Sequence, residues 1–102
     1  MNFLNEWTYS DWTRTVESEE LAAFYLYTPL CGTCAVASKM LNVVTELKPD
    51  VQIGKADLNY VEEIATEYQV ESVPCLLIKR KSQPAEKVYA FQSVQNILEK
   101  LS

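Results

Sequence analysis

One junction in this sequence restricts the fold more than any other. The run Leu21-Ala22-Ala23-Phe24-Tyr25-Leu26-Tyr27 is apolar, aromatic and strand-like, and Ala35 to Val44 repeats its apolar residues at helical spacing. Between them lies Cys31-Gly32-Thr33-Cys34. Two thiols three residues apart thus sit where a buried strand becomes a helix. Residues at i and i+3 of a helical turn face the same way, within reach of an S–S bond. Cys31 falls at the helix N-terminus, where unpaired N–H groups and the macrodipole favour a thiolate. Cys34, one turn in, is expected to be more buried and less acidic. That asymmetry makes Cys31 the attacking and Cys34 the resolving sulfur of a dithiol/disulfide cycle. The alternatives for the pair are two inert core thiols or half of a zinc site. Zinc needs two more ligands, and only Cys75 plus a carboxylate is on offer in a chain without histidine.

The elements around the junction can be read in order. A short strand is expected over Asn2–Asn5, then a helix from about Ser10 through Trp12 and Val16, capped by Thr8 or Ser10. Strand Leu21–Tyr27 leads to a helix over about Gly32–Leu47, which Pro49-Asp50 ends. Val51–Asp57 alternates as a strand. Asn59-Tyr60-Val61-Glu62 resembles a capping box opening a helix with Ile64, Ala65 and Tyr68 inward. Val73-Pro74 precedes strand Cys75–Ile78, Ser82-Gln83-Pro84 marks a turn, and Lys87–Phe91 returns as a strand. Val94, Ile97, Leu98 and Leu101 share one face of a last helix. The order βαβαβ-α-ββα predicts an α/β fold, a central mixed sheet with helices on both faces. Strands Leu21–Tyr27 and Val51–Asp57, joined by a helix, should run parallel.

At 102 residues the chain is expected to form one domain over 1–102. Apolar residues are 48% and charged residues 23%, a globular balance. Nine Lys and Arg against fourteen Asp and Glu leave a net charge of −5, which argues against nucleic-acid binding. No stretch approaches the roughly 18 apolar residues of a membrane span. The N-terminus lacks the basic and apolar regions of a secretory signal, so a cytoplasmic location is expected.

In this order and spacing of strand, Cys-Gly-x-Cys, long helix, strand, helix and Val-Pro, the chain resembles the thioredoxin family over about Ala22–Leu101. The resemblance implies the thioredoxin fold. It puts Cys31 at the attacking position, Cys34 at the resolving one and Pro74 at the cis-proline facing the disulfide. Val73 falls where the backbone pairs with substrate, and Lys55 where a partly buried lysine lies near the site. Leu30, Gly32 and Thr33 complete the expected substrate-binding surface. There are departures: Leu30 replaces a tryptophan, Tyr25 a buried aspartate, Thr33 a proline, Lys39 a helix-kinking proline, and Tyr89 a glycine of the substrate groove. Without the resemblance, Pro74 reads as a proline starting an edge strand. Cys75 reads either as a regulatory or exchanging thiol or as a small apolar core residue.

The implied activity is thiol–disulfide exchange, with reduction of protein or low-molecular-weight thiol disulfides expected in the cytosol. No organic cofactor or metal is implied, and electrons would come from a reductase the sequence does not identify. A second reading keeps the fold as a peptide-binding adaptor with little turnover, using the groove beside Val73-Pro74. The changed residues Leu30 and Tyr89 motivate it.

Overall fold

The computed structural model describes residues 4–102. Strand β1 (Asn5–Glu6) and helix α1 (Tyr9–Ser18) lead into β2 (Leu21–Tyr27), α2 (Gly32–Leu47) and β3 (Gln52–Asp57). A 3-10 turn (Leu58–Tyr60), α3 (Glu62–Tyr68), β4 (Cys75–Arg80), β5 (Glu86–Val88) and α4 (Val94–Lys100) complete the chain. The five strands form one mixed sheet in the order β1-β3-β2-β4-β5. β2 and β3 run parallel, as the helical crossover between them requires, while β4 and β5 are antiparallel to their neighbours.

β2 is the middle strand and is buried on both sides, which is why its sequence is a continuous apolar run rather than an alternating one. Its side chains still alternate. Ala23 and Tyr25 join Ala37, Leu41 and Val44 of α2 and Ile97 of α4 in one core. Ala22, Phe24 and Leu26 join Trp12 of α1 and Ile64 of α3 in the other. The helices therefore pair off by face, α2 with α4 and α1 with α3. Gly54 of β3 is needed on the second face. The Trp7 indole lies on it, and a Cβ there would fall 1.8 Å from Trp7 Cδ2.

Besides the start of β3 at Gln52 rather than Val51 and the end of β4 at Arg80 rather than Ile78, three features differ from the sequence expectation. The first strand is Asn5–Glu6; Asn2 and Phe3 of the expected strand lie outside the described residues. The capping box occurs at α1: Thr8 Oγ1 accepts from Asp11 N at 3.1 Å, and Thr8 N donates to Asp11 Oδ2 at 2.9 Å. At Asn59 it does not form, because Asp57 Oδ1 accepts the Asn59 N–H at 2.9 Å and winds a 3-10 turn. Val61, without a side-chain cap, starts α3. The last strand is Glu86–Val88, not Lys87–Phe91. Beyond Val88 the chain leaves the ladder, with Gln92 at φ 64° and Ser93 N donating to Phe91 O at 2.7 Å. Lys39, in the position of the family's kinking proline, leaves α2 unbroken from Gly32 to Leu47.

Candidate active site

The turn between β2 and α2 sets the position of both cysteines. Cys31 N donates to Thr28 O at 3.3 Å, with Pro29 second in the turn, where its fixed φ is suited. Leu30 stands at the tip with 98% of its surface exposed. Cys31 is then the N-cap of α2, and its Sγ accepts the Cys34 N–H at 3.2 Å. A sulfur in this place takes the role of a capping oxygen, so negative charge on it is favoured by the first-turn N–H and the helix dipole. Cys34 is 4% exposed, and the two are joined as a disulfide with Cα atoms 5.2 Å apart. Cys31 is only partly buried, so the outer sulfur can be reached and the inner one is screened.

Gly32 and Thr33 are exposed beside it. A Cβ on Gly32 would meet nothing within 4 Å, so the glycine is not a packing necessity and leaves the flank of Cys31 open. Thr33 Oγ1 lies 3.5 Å from Cys31 Sγ. Val73 brings its carbonyl oxygen to 3.9 Å from the same sulfur, and the Val73–Pro74 bond is cis. Chain segments 42 residues apart thus meet at Cys31. A groove of about 350 Å³ lies beside this meeting point, lined by Thr33, Val36, Met40, Pro74, Tyr89 and Phe91 among others. Tyr89, at the family's glycine position, forms part of its wall, and its hydroxyl accepts the Glu71 N–H at 3.2 Å, tying down the segment before Val73.

Behind the disulfide, Tyr25 is fully buried. Its hydroxyl donates to the Cys34 carbonyl at 2.7 Å and accepts from Ser38 Oγ at 3.1 Å. The ring stacks on Tyr27 and meets Phe91 edge-on. Burial raises the Tyr25 pKa, an effect the Ser38 hydrogen bond partly opposes, so the hydroxyl is neutral at physiological pH. Sequence reasoning missed Ser38, although it lies one turn after Cys34, where its hydroxyl faces the same strand.

Lys55 is next to Tyr25 in the sheet register, with Glu6 on its other side. Its ammonium is 3.9 Å from Glu6 Oε1 and 6.0 Å from the Tyr27 ring centre, and Tyr27 donates to the same Glu6 oxygen at 2.7 Å. Burial first, and then Glu6, push the Tyr27 pKa well above its ordinary value. Lys55 is therefore engaged with a carboxylate and a ring, on a strand flanked by β1 and β2.

Cys75 directly follows Pro74 but turns to the opposite core, among Trp12, Phe24 and Leu26. It is fully buried, and burial pushes its thiol up to about 12, slightly relieved by Lys87. A protonated, enclosed thiol is a poor nucleophile. Thiol titration with Ellman's reagent at pH 8 should count two reactive groups in the reduced folded protein and three after denaturation. The unfolded thiol ionises from about pH 9 and the folded one only near 12. The native state therefore holds this proton more firmly, and the stability that follows is lost as pH rises through that window.

A dithiol opening a helix at the carboxyl end of a mixed sheet, facing a cis-proline across a groove, is the arrangement of thioredoxin-like proteins. Comparison with known proteins agrees. The Thioredoxin family model matches residues 4–102. Thioredoxin-like protein YusE of Bacillus subtilis (strain 168) is 47% identical over 81 residues, 79% of this chain and 76% of that protein. Thioredoxin of Staphylococcus aureus (strain N315) is 31% identical over 72 residues, 70% of this chain and 69% of its own. Oxidized mitochondrial thioredoxin 3 of Saccharomyces cerevisiae superposes with a TM-score of 0.83 at 19% identity, covering 96% and 92% of the two chains, a likeness of fold.

The chain belongs to the thioredoxin family. With its Cys31–Cys34 disulfide of redox type it is, in general terms, a thiol–disulfide oxidoreductase.

Proposed function

We propose that the protein reduces disulfides of proteins or low-molecular-weight thiols through its Cys31–Cys34 pair, in the cytoplasm, and is itself re-reduced by a separate reductase. The observation that carries this reading is the inequality of the two sulfurs: Cys31 caps α2, partly exposed and beside Thr33 and Val73, and Cys34 is buried behind it. In the reduced form the Cys31 thiolate attacks one sulfur of a substrate disulfide, forming a mixed disulfide and expelling the other sulfur as a thiolate, which takes up a proton. Cys34 then loses its proton and attacks Cys31 Sγ, releasing the second substrate thiol and closing the Cys31–Cys34 bond. Two electrons pass to the substrate and two protons go with them.

Val73 and Pro74 support an extended substrate beside Cys31, the Val73 backbone pairing with it as an added strand would. Leu30, Gly32 and Thr33 form the rim over which the substrate approaches. Among the described residues no helix is long and apolar enough to cross a membrane. A reducing compartment keeps such a dithiol reduced and favours this direction of exchange.

The adaptor reading rests on the bare apolar rim, above all Leu30. Reduction of insulin disulfides by dithiothreitol separates the two. The protein should accelerate precipitation of the insulin B chain well above the dithiothreitol background. A rate equal to background favours the adaptor.

A further inference from the structure

Helix α2 carries a second apolar surface that the core does not use. Its inward residues Cys34, Ala37, Leu41 and Val44 are buried. Val36, Val43 and Leu47 are nevertheless 55%, 45% and 59% exposed, and partly buried Met40 lies between them. The spacing 36, 40, 43, 47 follows the four-three-four rhythm of a coiled-coil seam, so these residues form one stripe along the helix. Lys39 and Glu46 flank the stripe on its solvent side, two turns apart and both exposed. Neither is in any of the ion pairs of the described residues. Val36 and Met40 also line the groove beside Pro74, so the stripe runs into the groove without a break.

We infer that this stripe is a docking surface for a second copy of the same chain, with the two α2 helices antiparallel. The argument is charge complementarity. About a two-fold axis between Met40 and Val43, Val36 of one copy meets Leu47 of the other. Lys39 then faces Glu46 and Glu46 faces Lys39, giving two opposite-charge pairs along one flank. A parallel arrangement loses this match, because Ala37 and Val44, the positions facing Lys39 and Glu46 in that case, are buried in the core. Charges at such a rim select orientation more than they add affinity. The seam is one helix face, smaller than the ~800 Å² per partner of a standard interface, so the dimer forms at high protein concentration and is reversible. A second copy on Val36 and Met40 covers the wall of the groove. Resting on the proposed function, that coverage makes dimer formation and substrate binding exclusive.

Sedimentation equilibrium of the full chain between roughly 10 µM and 1 mM tests the surface without reference to chemistry. The weight-average mass of the wild type should climb from the monomer value toward twice it. Lys39→Glu and Glu46→Lys each set like charges against each other twice, and each should weaken association by about tenfold or more. The double variant Lys39→Glu/Glu46→Lys should restore it to within about threefold of wild type. A wild type that stays monomeric throughout, single variants that associate as wild type does, or a double variant that fails to recover would each overturn the inference. Circular dichroism should be the same for all four, since both positions are exposed. In parallel, insulin reduction per subunit should fall with concentration in the wild type and not in Lys39→Glu. A mass increase that the charge swap restores, with no insulin reduction by any variant, supports the interface and counts against the proposed function.

Discussion

Cys31→Ser should abolish disulfide exchange, while Cys34→Ser should still attack a disulfide once and then stop. The difference follows from where the two sulfurs sit. Cys31 Sγ is the partly exposed sulfur of the pair, and it accepts the Cys34 N–H at 3.2 Å, which would favour a thiolate there. Serine there is a far weaker nucleophile at neutral pH, and turnover should drop to the uncatalysed rate, a loss of several orders of magnitude. Removing Cys34 leaves Cys31, the cap and the groove in place. What is lost is the second displacement, so one equivalent of substrate accumulates as a mixed disulfide. Iodoacetamide at neutral pH should label Cys31 in preference to Cys34 in the reduced protein. Faster labelling of Cys34, which is 4% exposed, would reverse the assigned roles.

The second large effect concerns Tyr25. Ordinary thioredoxins have an aspartate at this position, thought to help move the proton of the resolving thiol. Here the hydroxyl is a fixed donor to the Cys34 carbonyl, and burial keeps it protonated. A buried thiol without a base gives up its proton reluctantly. Resolution of the mixed disulfide in the wild type should therefore be slow at pH 6 and rise steeply toward pH 9. Tyr25→Asp should speed this step about tenfold or more near neutral pH, because a positioned base contributes on the order of 10²–10⁴. It should also destabilise the fold by about 3–5 kcal/mol, since a buried aromatic ring between Tyr27 and Phe91 is removed. Tyr25→Phe should cost only about 1 kcal/mol and leave the steep pH profile in place. Stopped-flow reduction of a model disulfide and urea unfolding provide the two readouts. If Tyr25→Asp resolves no faster than wild type, proton transfer at this position does not limit the reaction and the tyrosine acts only through packing.

Much of the fold was legible because a few segments carried agreeing signals. Leu21–Tyr27 was recognisable as a central strand, since only a strand covered on both faces tolerates seven apolar residues in a row. Helix α2 was bounded correctly by the cysteine motif at one end and Pro49 at the other. The errors arose where two local signals competed. Asn59 and Glu62 have capping-box spacing, but Asp57 two residues earlier reaches the Asn59 N–H first. The strand expected through Phe91 ends in the structure at Val88, which pairs with Leu76 near the start of β4, and a sequence does not reveal where such pairing ends.

The cysteines were legible as a pair, and Pro74 only through the family resemblance. The groove was not legible, because Val36, Met40, Tyr89 and Phe91 come from separate segments that meet only in three dimensions. Ser38 was missed for a related reason. Its acceptor is the Tyr25 hydroxyl, 13 residues away on another element. Cys75 could be read in two ways until its neighbours were known, and they belong to the apolar core under α1 and α3.

The central claim is that Cys31 alone makes the first covalent bond to a substrate. Mass spectrometry of Cys34→Ser, incubated with a symmetrical disulfide-linked peptide and digested without reductant, tests it directly. The account predicts one half-peptide per chain, located on Cys31, and no adduct on Cys75. No adduct at all, or an adduct carried by Cys75, would contradict it.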